Sequence, residues 1–223
     1  MKNYKKLFII PCALLLVFIL LFIFVKTVDV SVLGENSTNI GLTFMNKPFY
    51  ESHKALNETF YKLSKYLGYL SFLMIAFFAG IGLIQFIKRK KFLEVDKDIL
   101  ILGIVYIFTL ALYFFFDFVP VNVRPIIVED PMEASFPSSH TLMGVVVFGT
   151  AIYEILKRFT NKYLKYVLTT VSGILMLLMI AFRTLSGVHW ISDIVSGIVL
   201  GLFIVSLFIA LDLNITRNVE QEE

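Results

Sequence analysis

Phe182-Arg183-Thr184-Leu185-Ser186-Gly187-Val188-His189-Trp190-Ile191-Ser192-Asp193 lies between two long apolar runs. An arginine, a histidine and an aspartate are costly at such a place unless they pair with one another or perform a task. His189 and Asp193 are four residues apart and share one face if the chain is helical there. A carboxylate so placed can accept a hydrogen bond from one imidazole nitrogen, which sets the tautomer and leaves the other nitrogen free for chemistry. Arg183 offers a planar fork of donors suited to phosphate. Taken alone, the stretch is equally well read as a helix start with a snorkelling arginine and a satisfied histidine.

The flanks decide the fold class. The chain has 223 residues and is 58% hydrophobic, with a mean hydropathy of +0.82, where a soluble domain is about 45–50% apolar. The excess is gathered into six runs, each near the ~20 residues that a bilayer core requires. They are Leu7–Val25, Tyr66–Ile87, Asp98–Val119, His140–Leu156, residues 166–182 and Trp190–Leu211. This predicts an all-α bundle of six transmembrane helices, one integral membrane domain over residues 1–223. A single cysteine, Cys12, rules out an intrachain disulfide or a cysteine metal cluster.

Charge placement orients the bundle. Lys2, Lys5 and Lys6 precede the first run, Lys88-Arg89-Lys90-Lys91 close the second, and Lys157, Arg158, Lys162 and Lys165 lie between the fourth and fifth. The positive-inside rule then puts the N- and C-termini in the cytoplasm, and residues 26–65, 120–139 and 183–189 on the extracytoplasmic side. Residues 26–65 are polar but carry interleaved aromatics, which predicts short amphipathic helices at the membrane surface. Trp190 is expected at the interfacial level, and residues 212–223 form a polar cytoplasmic tail. The location expected is the cell membrane, multi-pass, with the bilayer as surroundings and no nucleic-acid partner. The net charge of +3 points to no partner by itself. Gly197 and Gly201 form a small-xxx-small pair, expected to serve packing within the chain.

Arg124 and Arg183 stand against the charge bias, on the same predicted face as two of the three histidines, His140 and His189. Ala134-Ser135-Phe136-Pro137-Ser138-Ser139-His140 reads as a helix start, since proline followed by serines is an N-terminal signal. The free N–H groups and the dipole of such an end favour an anion, and the hydroxyls of Ser138 and Ser139 add donors. An ordinary N-cap explains the serines but not a histidine at the mouth of the membrane. His53 has no such company and reads as a surface loop residue. Two arginines, a helix N-terminus and two histidines are the parts needed for phosphoryl transfer: clamps on the oxygens, a nucleophile and a proton donor.

Arg124-Pro125, Pro137-Ser138-Ser139-His140 and Arg183-x5-His189-x3-Asp193 resemble, in this order, the three-part signature of the type 2 phosphatidic acid phosphatase (PAP2) family. The motif region is 117–193, and the six-span layout extends the likeness to nearly the whole chain. The resemblance implies that His189 attacks phosphorus to form a phosphohistidine, that Asp193 orients it, and that His140 protonates the leaving oxygen. It implies that Arg124, Arg183, Ser138 and the amides around Ser139 hold the phosphate oxygens, with no cofactor and no metal. The substrate class implied is a lipid phosphate or diphosphate, such as undecaprenyl diphosphate, phosphatidylglycerol phosphate or phosphatidic acid, hydrolysed at the extracytoplasmic face.

Three positions depart from the family pattern. Asp117 stands where the family has lysine, Ser139 where it has glycine, and Phe182 where it has the serine before the arginine. A lysine of the first loop (Lys47, Lys54, Lys62 or Lys65) is a candidate replacement for the missing cation. Transfer of phosphate to an alcohol instead of water, and a catalytically silent lipid-binding or transport relative, are the alternatives. The oligomeric state is not legible.

Overall fold

The computed structural model of the chain describes residues 4–129 and 133–222. A short 3-10 turn, Tyr4–Phe8, leads into α1 (Ile9–Thr27); Lys2 lies outside the described residues. Pro11 sits in the first turn of α1, where its missing N–H has no intrahelical partner to lose. Among the described residues six helices are long and apolar enough to cross a membrane, and the six predicted runs coincide with them, overshooting by one residue at Val119 and at Trp190. The chain is a multi-pass helical membrane protein.

The first loop is shorter than expected and contains more than helix. β1 (Ser31–Leu33) and β2 (Thr38–Ile40) form an antiparallel hairpin with Val32 opposite Asn39. Its turn begins at Gly34, at φ +81°, a left-handed conformation that glycine adopts without steric cost. α2 (Thr43–Ser52) is the one amphipathic helix of the loop. α3 (Glu58–Arg89) then starts at Glu58 rather than Tyr66, because Asn57 accepts the N–H of Phe60 and caps it. Phe60, Tyr61, Ser64 and Lys65 therefore belong to a spanning helix and not to a loop.

α4 (Lys97–Phe118), α5 (Ser139–Arg158), α6 (Lys162–Leu185) and α7 (Ile191–Glu222) complete the bundle. α5 runs through its middle. Most of its residues from Thr141 to Ile155 are buried, while α3 and α6 are largely exposed to the surroundings. Small residues set the α5–α7 distance: a Cβ at Gly201 would lie 2.7 Å from Val145, one at Gly149 2.9 Å from Val205, and one at Gly197 2.8 Å from the Ser138 carbonyl oxygen. The Gly197–Gly201 pair thus packs within the chain, as expected.

α7 does not stop at the polar tail but continues through it, because Asp212 is buried and paired. Lys157 Nζ contacts Asp212 Oδ2 at 2.7 Å and Asp98 Oδ2 at 2.8 Å, and Tyr153 donates to Asp212 at 2.6 Å. Arg158 reaches Asp98, Asp96 and Glu154, and Arg89 reaches Asp96. This network joins α3, α4, α5 and α7 at the end of the bundle that carries Lys88–Lys91. The opposite end of the bundle holds the candidate site.

Candidate active site

Two strands of loop meet above α5. Val123 and Ala134 form an antiparallel bridge, the Arg124 N–H donates to the Glu133 carbonyl at 3.1 Å, and the Ser135 N–H donates to the Asn122 carbonyl at 3.0 Å. This ribbon sets Arg124 beside the Ser135–His140 segment. The β-hairpin braces it from outside: the Glu35 N–H donates to the Pro125 carbonyl at 3.0 Å, and the Glu35 carboxylate accepts the Ile127 N–H at 2.7 Å. Trp190 supports it from below, donating from its indole to the Val123 carbonyl at 2.8 Å. Trp190 is fully buried among these loops and is not a lipid-facing interfacial residue. The indole N–H needs an acceptor once buried, and the ribbon supplies one.

The turn from α6 to α7 places the nucleophile candidate. Gly187 has φ +77°, and a Cβ there would meet the His53 carbonyl oxygen at 2.9 Å, so both conformation and space require glycine. His53 itself bonds only locally, to Phe49 and Ser52, consistent with its reading as a loop residue. Asp193 accepts the Trp190 N–H on Oδ2 at 3.1 Å and so caps α7, while its carbonyl accepts the Ser138 N–H at 3.0 Å. Asn46 of α2 adds a second cap by accepting the Ser192 N–H at 3.1 Å.

His189 and Asp193 are both buried. The Arg183 guanidinium donates from Nη2 to His189 Nε2 at 2.9 Å. A guanidinium has no acceptor, so Nε2 must be unprotonated and Nδ1 carries the hydrogen. Nδ1 lies 3.8 Å from Asp193 Oδ2 but 3.1 Å from the Ser135 hydroxyl, which is 2.5 Å from that same Oδ2. Burial, and then the charges of Arg183 and Arg124, hold the His189 imidazole well below its ordinary value. It is therefore neutral at pH 7, the form with a lone pair to donate.

The anion side is rich in unused donors. Among the described residues, Arg124 Nε and Nη1, Arg183 Nε and His140 Nδ1 are buried without a hydrogen-bond partner. An unpaired buried donor costs about 1–3 kcal/mol, and an anion entering here could take up several of them at once. Arg124 Nη2 meets Glu133 Oε1 at 2.6 Å. Burial pushes the Glu133 carboxyl up, against the charges of Arg124 and Arg183. α5 begins at Ser139, and helix geometry leaves its first N–H groups without a backbone acceptor. Ser138 shares a 2.9 Å hydrogen bond with Thr141, so its hydroxyl is engaged inside the first turn. Ser139 lines a crevice of about 20 Å³ with Tyr113, Phe116 and Asp117. It is not among the positive-φ residues, so the backbone places no demand for glycine there.

One face of α3 closes the site. Tyr61, Ser64, Lys65 and Gly68 recur at helical spacing. Ser64 accepts from Arg183 Nη1 at 3.3 Å, the Tyr61 ring lies 5.5 Å from the Arg183 guanidinium carbon, and a Cβ at Gly68 would come 3.2 Å from the His140 ring. Lys65 lies over Tyr61, is 3.4 Å from Glu129, and its charge is felt by Glu133. Of the four lysines considered as replacements, Lys65 is the one that reaches this cluster; Lys62 pairs with Glu58 on the surface. Phe182 stacks on Phe60 of α3 at 5.5 Å, which gives that departure a packing role.

Arg124, His140, Arg183, His189 and Asp193, and the Ser138–Ser139 helix start, thus gather at one end of the bundle. Ser135, Asn122, Glu133, Asn46 and, on the α3 face, Tyr61, Ser64 and Gly68 were missed by sequence reasoning, which named Lys65 only as one of four candidates. Only the α3 face carried a legible signal, a small and polar stripe at helical spacing on an otherwise apolar helix.

These features define a class of protein: a six-span membrane bundle whose polar end holds a histidine between an arginine and a serine–aspartate pair, beside a helix N-terminus. Residues 71–217 match the PAP2 superfamily, and the chain belongs to that family. At the level of the family it is a membrane lipid phosphatase. Its fold is similar to that of the crystal structure of a transmembrane PAP2-type phosphatidylglycerolphosphate phosphatase from Bacillus subtilis, with a TM-score of 0.63 and 20% identity over 92% of this chain and 96% of that one. No curated protein matches the chain.

Proposed function

We propose that this protein dephosphorylates a lipid phosphate or diphosphate at the extracytoplasmic face of the membrane, through a phosphohistidine on His189. The observation that carries this reading is the Arg183–His189 contact: a neutral imidazole whose Nε2 lone pair is aimed at a guanidinium that has donors left over for phosphate oxygens. In the first step, Nε2 bonds to phosphorus as the phosphorus–oxygen bond to the lipid breaks. His140 passes a proton to the departing oxygen. In the second step, His140 takes a proton from water, the hydroxide oxygen bonds to phosphorus, and the Nε2–phosphorus bond breaks to release inorganic phosphate. Arg124, Arg183 and the first amides of α5 hold the oxygens on which charge develops, and Ser138 and Ser139 frame that helix end.

Sidedness is supported by the placement of Lys88–Lys91, Lys157 and Arg158 at the end of the bundle away from the site. A lipid substrate is supported by the position of the site at one membrane-facing end.

The test is phosphate release by the purified protein in detergent with EDTA present, from polyprenyl diphosphate, phosphatidylglycerol phosphate and phosphatidic acid. Release that survives EDTA and ranks one lipid first is expected. Activity only on adding metal, or transfer of the phosphate to an added alcohol in preference to water, would overturn the hydrolase reading.

Lys65 is the proposed third cation of the clamp. Lys65→Ala is expected to raise KM about fivefold to tenfold with a smaller effect on kcat, as suits one partly screened charge. Asp117→Lys, at the exposed mouth of the Ser139 crevice, is expected to restore most of that loss in the double variant. Steady-state kinetics of the two single variants and the double variant check this. An unchanged KM in Lys65→Ala would remove Lys65 from the clamp.

A further inference from the structure

We infer that Ser135 is a positioning residue that couples Asp193 to His189: its hydroxyl oxygen accepts the Nδ1 hydrogen of the imidazole, and its own hydrogen goes to the carboxylate. This rests on the reading of His189 as the phosphoryl acceptor. The direction of the chain follows from its ends. Arg183 can only donate, so Nε2 accepts and Nδ1–H donates. The carboxylate of Asp193 can only accept, so the serine between them must accept from the ring and donate to the acid. The distances fit this order, at 2.9 Å from Arg183 Nη2 to Nε2, 3.1 Å from Nδ1 to the Ser135 oxygen, and 2.5 Å from that oxygen to Asp193 Oδ2. The direct route from Nδ1 to the carboxylate is 3.8 Å, beyond hydrogen-bond reach.

Asp193 is not free to close that gap. Its Oδ2 also accepts the Trp190 N–H, its Oδ1 accepts from the Asn122 amide at 3.2 Å, and its carbonyl is tied to Ser138. Moving the carboxylate toward the ring would uncap α7. Ser135 is equally fixed, because its N–H is held by Asn122 across the ribbon and the residue is buried. The serine therefore does what a directly bonded aspartate does in a catalytic triad. Arg183 sets the tautomer, and Ser135 holds the Nδ1 hydrogen and carries the influence of the carboxylate to the ring when the Nε2–phosphorus bond makes that ring cationic. Nδ1 keeps its hydrogen throughout, so no further proton carrier is needed.

The chain has only three histidines, so 15N-histidine labelling of the full-length protein in detergent resolves His189 directly. The expected wild-type pattern is Nδ1–H with a bare Nε2. Ser135→Ala is expected to keep Nε2 bare, because Arg183 still donates to it, but to move the His189 Nδ1–H signal upfield as its hydroxyl acceptor is lost, while the His53 and His140 signals stay in place. Its kcat should fall about a hundredfold with KM within about threefold, as measured on the lipid that the wild-type protein hydrolyses best. Ser135→Thr, which keeps the hydroxyl, is expected to retain the wild-type Nδ1–H signal and recover at least tenfold of the rate. If Ser135→Ala does not fold, Ser135→Cys carries the same comparison with a weaker donor. A wild-type Nδ1–H signal in Ser135→Ala, or a threonine variant that folds but behaves as alanine does, overturns the inference. Turnover in His189→Ala would instead overturn the phosphohistidine reading and leave the Nδ1–H result standing.

Discussion

His189→Ala is expected to lower phosphate release by about four orders of magnitude or more, some 5 kcal/mol of transition-state stabilisation. No other described side chain meets both Arg183 and the Ser135–Asp193 pair, so nothing can take over the attack on phosphorus. The fold should survive: His189 sits in the turn between α6 and α7, and the caps of α7 are made by Asp193 and Asn46, not by the imidazole. Single-turnover labelling with a 32P-labelled lipid gives the sharper readout. The wild-type protein should carry an acid-labile, alkali-stable phosphate, as a phosphorus–nitrogen bond requires, and His189→Ala should carry none. Retained label in the variant would place the covalent step elsewhere.

The pH dependence has a definite sign. Burial and the nearby arginine charges depress the His189 value, so the nucleophile stays neutral down through the ordinary imidazole range. The acid limb of kcat/KM that reports His189 should therefore lie below that range. A limb near the unperturbed histidine value would mean that solvent reaches the ring.

Arg183→Lys is expected to cost about a hundredfold to a thousandfold in kcat/KM, the loss typical of one oriented donor at a developing oxyanion. The substitution keeps the charge but removes the fork. Arg183 uses one arm on Ser64 and another on His189, and it has Nε left for phosphate. A lysine ammonium is a single point and cannot hold α3, the imidazole and an oxygen at once. Kinetics on the variant, with its melting temperature as the fold control, check this. A loss confined to KM would mean that Arg183 binds the headgroup without acting on the transition state.

Glu133 bears on both experiments. In the free protein its carboxylate lies on Arg124 at 2.6 Å, the position of an anion among cations. A phosphate entering the site displaces one carboxylate contact from Arg124 in exchange for its own, and the raised Glu133 value means that a proton can ease that exchange.

Much of the membrane architecture was legible in the sequence because its determinants are local. A run of about 20 apolar residues becomes a helix in a bilayer, whatever the rest of the chain does. The Arg183-x5-His189-x3-Asp193 spacing was legible for a similar reason, since it spans a single turn between two helices. Helix limits were less so. α3 begins at Glu58 because of one capping asparagine, and α7 runs past Leu211 because Asp212 finds Lys157 and Tyr153 on α5. Neither effect shows in hydropathy.

The hydroxyl between His189 and Asp193 comes from Ser135, 54 and 58 positions away in sequence, and the cap on Ser192 comes from Asn46, 146 positions away. Which loop polar group meets which catalytic group depends on the register of the 122–124 and 133–135 ribbon, on the hairpin that braces it, and on the glycines that let α7 approach α5 and its loop. The sequence by itself determined the six spans, the polar end and the candidates for the reacting groups, because hydrophobic length, charge placement and residue chemistry act over a few neighbouring positions. Only the tertiary structure decided that the Ser135 hydroxyl lies between Asp193 and His189 and that Lys65 lies beside the cluster, because a hydrogen bond depends on tenths of an ångström between segments that the chain brings together only when it packs.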